Sequence, residues 1–171
     1  MSFKRNFFRF IFISVLGVLL HFTYDWSNQN SLIGLFSATN ESTFEHLKLI
    51  FFPMLLLTIL ELYFNKDTLP ENFLSSRTIG IIGGMIFIVV AFYTILGVLG
   101  QNYDFINIAI YFAGVIFALW LENKLYSKSY ISNSTGTKIL IFITLLFFLF
   151  TFYPPKLGLF IDPTLQANLV S

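Results

Sequence analysis

From Thr78 to Leu99 the chain runs 22 residues without a charged side chain. As helix, at 1.5 Å per residue, that is about 33 Å, enough to cross the roughly 30 Å hydrocarbon core of a bilayer. Inside hydrocarbon no water satisfies the backbone, so the segment must be helical. Composition extends this conclusion to the whole chain. Only 11% of the residues are charged and 56% are hydrophobic, whereas a soluble domain carries about 25% charged residues. The class is therefore an integral membrane protein, all-α, with the lipid bilayer as its first partner. A net charge of +1 offers no field for nucleic acid. The absence of cysteine excludes disulfides, thiolate catalysis and Cys-based zinc sites.

Four further apolar runs accompany the first, giving a polytopic bundle of five spans near 6–26, 43–64, 78–100, 105–122 and 137–153, one domain over 1–171. The first has a basic lead of Lys4, Arg5 and Arg9, but no small-residue cleavage site follows it, so it reads as an uncleaved span. Arg9 is expected to snorkel to the headgroups. Tyr24 and Trp26 suit the other interface. The island Leu32–Phe36 is too short to span and is assigned to the interface. Ser42-x-x-Glu45 has the form of a capping box opening the second span. Pro53 inside that span removes one hydrogen bond and crowds the carbonyl of Leu49, which predicts a kink. Gly80-x-x-x-Gly84 permits close helix approach. The polar turn Gln101–Asp104 makes the third and fourth spans antiparallel neighbours. Leu157, Leu159 and Phe160 are expected to dock the tail back on the surface.

Charge bias orients the bundle. With the N-terminus inside and the C-terminus outside, the inner segments hold Lys4, Arg5, Arg9, Lys66, Arg77, Lys124, Lys128 and Lys138. The outer ones hold Lys48 and Lys156. Cytoplasmic loops carry the excess of Lys and Arg, so this is the expected topology in a cell membrane. It brings the end of the first span and the start of the second to one outer face. His21, Asp25, Glu41 and His46 then lie at similar depth, with Tyr24, Asn40, Glu45 and Lys48 around them and Tyr93 and Tyr111 below. The inner charges read as dispersed.

His21 and Asp25, four apart on a helix, share a face, so the carboxylate is expected to hold one imidazole nitrogen and free the other. With Glu41 and His46 they offer two nitrogens and two oxygens to a divalent metal ion. The bland alternative is a hydrogen-bonded network locking the first helix to the second. Lys48 is expected to pair with Glu41, Glu45 or Asp25. Ser42 and His46, also four apart, suggest a hydrolytic pair, but Ser42 is already the expected cap.

The order His21-x-x-Tyr24-Asp25-Trp26, Asn40-Glu41-Ser42-x-x-Glu45-His46-x-Lys48, Phe52-Pro53 and Tyr93-Thr94-x-x-Gly97-x-x-Gly100 resembles a family of small bacterial multi-span membrane proteins of unknown function. The resemblance implies a plasma-membrane protein and no established activity. Three functional classes stay open: a membrane enzyme or metal-binding protein with a metal-binding or hydrolytic outer site, a small transporter or permeation subunit working as a homodimer, and an accessory subunit for a partner membrane protein or lipid headgroup.

Overall fold

The computed structural model describes residues 3–128 and 130–162. They form six α-helices and two 3-10 turns, with no strand among them: α1 Phe3–Trp26, α2 Ser31–Gly34, α3 Thr43–Phe64, α4 Phe73–Leu99, α5 Asp104–Leu125 and α6 Asn133–Phe152. Five of these, all but α2, are long and apolar enough to cross a membrane. Helices matching the five expected spans are therefore present. The third begins earlier than expected, so that Arg77 lies on α4 rather than in the preceding loop.

The helix α3 is the centre of the bundle. In its most apolar window 61% of the residues are buried, against 17–28% in the other four spanning helices. An apolar helix surrounded on all sides needs no polar face, and α3 has none over Leu49–Leu60. Around it, α1, α4 and α6 make direct contact, and α5 closes the ring between α4 and α1. Ile13, Ile50, Phe51, Met54, Ile81 and Val115 form a fully buried middle layer.

The glycines of α4 set its distance from α5. A Cβ on Gly80 would sit 2.8 Å from the carbonyl oxygen of Ala118, and one on Gly84 would sit 2.8 Å from Ala118 Cβ. Small residues at that spacing let the two backbones approach. The α4–α5 pairing is the most extensive in the molecule.

Pro53 lies within α3 without interrupting it. Having no N–H, it leaves the Leu49 carbonyl without its helical donor. The hydroxyl of Tyr111 on α5 supplies the replacement, 3.2 Å from Leu49 O and 3.1 Å from Ile13 O. Gly17 makes room for it, since a Cβ there would overlap the Tyr111 hydroxyl. Tyr111 thus ties α5 to α1 and α3 at mid-depth.

The island expected at the interface keeps Leu32, Ile33 and Phe36 exposed, with only Gly34 buried. It becomes α2, capped by Asn30 Oδ1 on Leu32 N at 2.9 Å. Ser37 and Ala38 behind it are buried. Ala38 N donates to Leu20 O at 3.3 Å, and the Ser37 hydroxyl to the same oxygen. Phe36 stands edge-on to Phe52 and Phe148, centroids 5.1 and 5.4 Å away. The tail docks through Phe160, whose ring lies 4.3 Å from that of Phe44, while Leu157 stays exposed.

Candidate functional site

At the end of the bundle where α1 stops and α3 starts, hereafter the distal end, one ligand atom each of His21, Glu41 and His46 lie within 4.8 Å of one another. The two imidazole rings are 5.1 Å apart, centroid to centroid. His21 sits in the last two turns of α1, His46 in the first turn of α3, and Glu41 just ahead of the Ser42 cap. The N-terminus of α3 thus places two of the three, and the packing of α1 on α3 brings the other.

The hydrogen bonds around His46 restrict its chemistry. Its Nδ1 is 2.9 Å from the carbonyl oxygen of Ser42. A carbonyl only accepts, so Nδ1 carries the hydrogen. Nε2 then faces Glu41 Oε2 at 3.4 Å, and a carboxylate also only accepts. A proton on Nε2 makes this an ion pair; without one, the Nε2 lone pair faces the carboxylate and the two together offer donors to a cation. The hydrogen bond from His46 holds the Glu41 carboxyl below the usual carboxylate range, with burial opposing it. His21 Nδ1 is buried and has no hydrogen-bond partner. That is an orphaned polar atom beside the triad, and such atoms are rare in proteins.

Asp25 departs from expectation. It is exposed and does not hold the imidazole of His21, whose Nδ1 stays unpartnered. Position i+4 gives a shared face, but Asp25 lies in the last turn, where its carboxylate gains more from water. Tyr24 is half-buried and stacks its ring edge close to Gly34. Asn40 accepts from Ser42 N at 2.9 Å. Tyr93 accepts from Thr43 Oγ1 at 3.4 Å. Tyr111 serves the mid-bundle carbonyls.

The capping box forms by half. Ser42 Oγ accepts from Glu45 N at 3.4 Å, but the Glu45 carboxylate does not return to Ser42. It receives Thr39 N and Thr39 Oγ1 at 2.9 and 2.8 Å, Thr151 Oγ1 at 3.3 Å, and Lys48 Nζ at 2.7 Å. Lys48 is fully buried and also donates to the carbonyls of Gly34 and Ser37 at 2.8 and 3.2 Å. This pair therefore pins the α2 loop and α6 to α3, beneath the triad. Ser42 is the helix cap, as expected, and His46 bonds its carbonyl rather than its hydroxyl, so the two form no hydrolytic pair.

The largest correction is at the opposite, proximal end. The charges there are gathered, not dispersed. Arg9, Glu61, Arg77 and Glu122, one from each of α1, α3, α4 and α5, form a closed ring of alternating sign. Arg9 Nε is 2.6 Å from Glu61 Oε1 and its Nη1 3.3 Å from Glu122 Oε1. Arg77 Nη2 is 2.6 Å from Glu61 Oε2 and its Nε 2.7 Å from Glu122 Oε2. Arg77 Nη1 also reaches Thr58 Oγ1 at 2.9 Å, and Tyr126 donates to Glu122 Oε1. Burial, reinforced by the Glu122 charge, pushes the Tyr126 hydroxyl pKa up, which keeps it a donor. Arg9 does not snorkel: it is 1% exposed. The sequence carries one signal of this arrangement. Two acids and two bases stand at matching depth on four adjacent helix ends, so their charges cancel.

No match is found among curated proteins or among solved structures. A family model does match, over residues 4–167, nearly the whole described bundle and both polar layers. The chain belongs to that family, a family of unknown function (DUF6512).

Proposed function

We propose that this is a multi-pass membrane protein that binds a divalent transition-metal ion at its distal end, with His21, His46 and Glu41 as ligands. The observation that carries the reading is the His46 geometry. Its protonated Nδ1 is held by a backbone carbonyl, the outer contact that commonly fixes a metal-ligating histidine. Its Nε2 lies 3.4 Å from a carboxylate oxygen. Zinc bonds of about 2.0–2.1 Å in a tetrahedron put neighbouring ligand atoms about 3.3–3.4 Å apart, so that edge already has the required length. The edges to His21 are bounded only by 4.8 Å and close by a small inward shift of its ring, which has an unpartnered nitrogen to offer.

Two imidazoles and one carboxylate leave a fourth position for water, the ligand complement of catalytic zinc sites. Metal-assisted hydrolysis is the chemistry such a centre supports. The excess of Lys and Arg toward the proximal end supports a topology with this end outside and the N-terminus inside. A transport role is less well supported. Between the two polar layers Ile13, Ile50, Met54, Ile81 and Val115 are buried without exposure, so an ion at the triad meets a hydrocarbon layer. A second reading comes from the same hydrogen bonds: without metal, a doubly protonated His46 on Glu41 is a lock between the α3 terminus and its preceding loop.

The test is cobalt titration of the detergent-solubilised full chain, read by visible d–d absorption and by metal analysis. The expected result is one tetrahedral site per chain, lost in His46→Ala and in His21→Ala. A wild-type protein that takes up neither cobalt nor zinc overturns the metal reading and leaves the lock.

A further inference from the structure

At the proximal end a cavity of about 310 Å³ opens between α1 and α3, at the lower end of the ~300–1,000 Å³ typical of small-molecule sites. Its long walls are Phe8 and Phe12 of α1 against Leu57, Leu60 and Phe64 of α3. Its floor is Arg9 and Glu61, whose charges are spent in the ring. Its mouth carries Arg5.

Arg5 is different from the ring arginines. Its Nε is out of contact with solvent and has no hydrogen-bond partner. The ring is neutral, with two guanidiniums and two carboxylates, so Arg5 is the uncompensated charge on the cavity wall. A guanidinium left unpaired at a hydrocarbon boundary is costly. The pairing it favours is a bidentate one with a phosphate or carboxylate. The apolar walls below it accept a chain, and Phe8 is 65% exposed, so the crevice is continuous with the lipid-facing surface. The ligand it fits is therefore amphiphilic, anionic at the Arg5 end, and able to enter sideways from the bilayer.

We propose that the crevice between α1 and α3 binds one anionic phospholipid, with its phosphate on Arg5 and one acyl chain between Phe8, Phe12, Leu57 and Leu60. The lipid would fill the gap beside the ring and keep water from Arg9 and Glu61. It lies at the opposite end from the metal triad and does not depend on it.

Native mass spectrometry of the full chain in detergent, offered equal dioleoylphosphatidylglycerol and dioleoylphosphatidylcholine, tests the proposal. One basic contact at a membrane surface corresponds to roughly a fivefold preference, so the wild type should retain the glycerol lipid at least about fivefold over the choline lipid. Arg5→Gln should bring the ratio near one without shifting the melting temperature, because Arg5 has no part in the ring. Arg5→Lys should give an intermediate ratio. Leu60→Trp should reduce retention of both lipids by filling the chain site. Equal retention by the wild type, a ratio unchanged in Arg5→Gln, or displacement of phosphatidylglycerol by free oleate at equal concentration each overturns it.

Discussion

Replacing Arg77 by Met tests whether the ring is a buried, charge-balanced unit. Arg77 is fully buried and gives hydrogen bonds to Glu61, Glu122, Thr58 Oγ1 and Met54 O. Opposite charges about 4 Å apart interact by about 4 kcal/mol at an effective dielectric of 20, and Arg77 has two such partners. Much of this gain is offset by desolvation, so the wild-type ring is weak evidence of net stability. Arg77→Met removes the attraction but not the cost of burying the carboxylates. The ring is left with two carboxylates and one guanidinium, and the expected loss is about 3–5 kcal/mol. That is a large share of the ~5–15 kcal/mol that holds a domain together. Glu122→Leu alone should cost a similar amount, with one acid now facing two bases. The double variant restores neutrality, since Arg9 and Glu61 remain paired at 2.5–2.6 Å. It should be more stable than the sum of the singles by about 1–3 kcal/mol. Arg9→Met with Arg77→Met leaves two unbalanced carboxylates and should show no such recovery. The assay is unfolding in mixed micelles by increasing denaturing detergent, followed by Trp120 fluorescence on α5. A loss under about 1 kcal/mol for Arg77→Met, or additive single effects, would refute the claim that these charges are sealed from water.

Tyr111→Phe removes the donor shared by the Leu49 and Ile13 carbonyls. Ile13 keeps its helical N–H but Leu49, facing Pro53, does not, so a loss of about 1–2 kcal/mol is expected in the same assay; Pro53→Ala in that background should recover part of it. Glu41 has its folded pKa lowered, chiefly by the His46 hydrogen bond, so its contribution is complete above the unfolded value of 4.5 and lost as pH falls through the lower folded value. Glu41→Gln should therefore narrow the difference in melting temperature between pH 6 and pH 3, roughly the span over which a carboxylate titrates; an unchanged acid limb would remove the pair from the account.

The spans were legible because hydrocarbon imposes length and helicity on any chain that crosses it. The His21–Glu41–His46 meeting was legible for a related reason: antiparallel helices bring one end of each to the same depth. What depth does not carry is rotation about the helix axis. Asp25 has the right depth and spacing, yet its side chain ends in water. The ring was missed for the opposite reason. Charges at the ends of apolar runs usually snorkel, and each of Arg9, Glu61, Arg77 and Glu122, taken singly, has an interface available to it. Only in three dimensions do the four point inward at one level, so that pairing is open to them as well as water. The α2 island is too short to span and keeps Leu32, Ile33 and Phe36 exposed, while the backbone at Gly34 and Ser37 is drawn inward. Lys48 accounts for this: a buried ammonium needs acceptors, and the carbonyls of Gly34 and Ser37 supply them.

The polar contacts fall at three depths on the same helix pair, and this explains how a site at one end is kept in register. At the proximal end Arg9 of α1 holds Glu61 of α3. At mid-depth Tyr111 reaches the carbonyls of Ile13 on α1 and Leu49 on α3. At the distal end the Ser37 hydroxyl takes Leu20 O of α1, while the Ser37 carbonyl takes Lys48 of α3. Apolar packing alone lets neighbouring helices slide in hydrocarbon, because lipid tails compete equally for Leu and Phe. Directional bonds at three levels leave little freedom to slide or rotate. His21 follows Leu20 and His46 stands two residues before Lys48, so the backbone positions of both are set by contacts that use no imidazole. On the metal reading, an ion entering there needs only a small shift of the His21 ring, and its removal would leave the helices where they are. The imidazoles can therefore be replaced without unfolding the bundle, which is the condition under which their role can be measured at all.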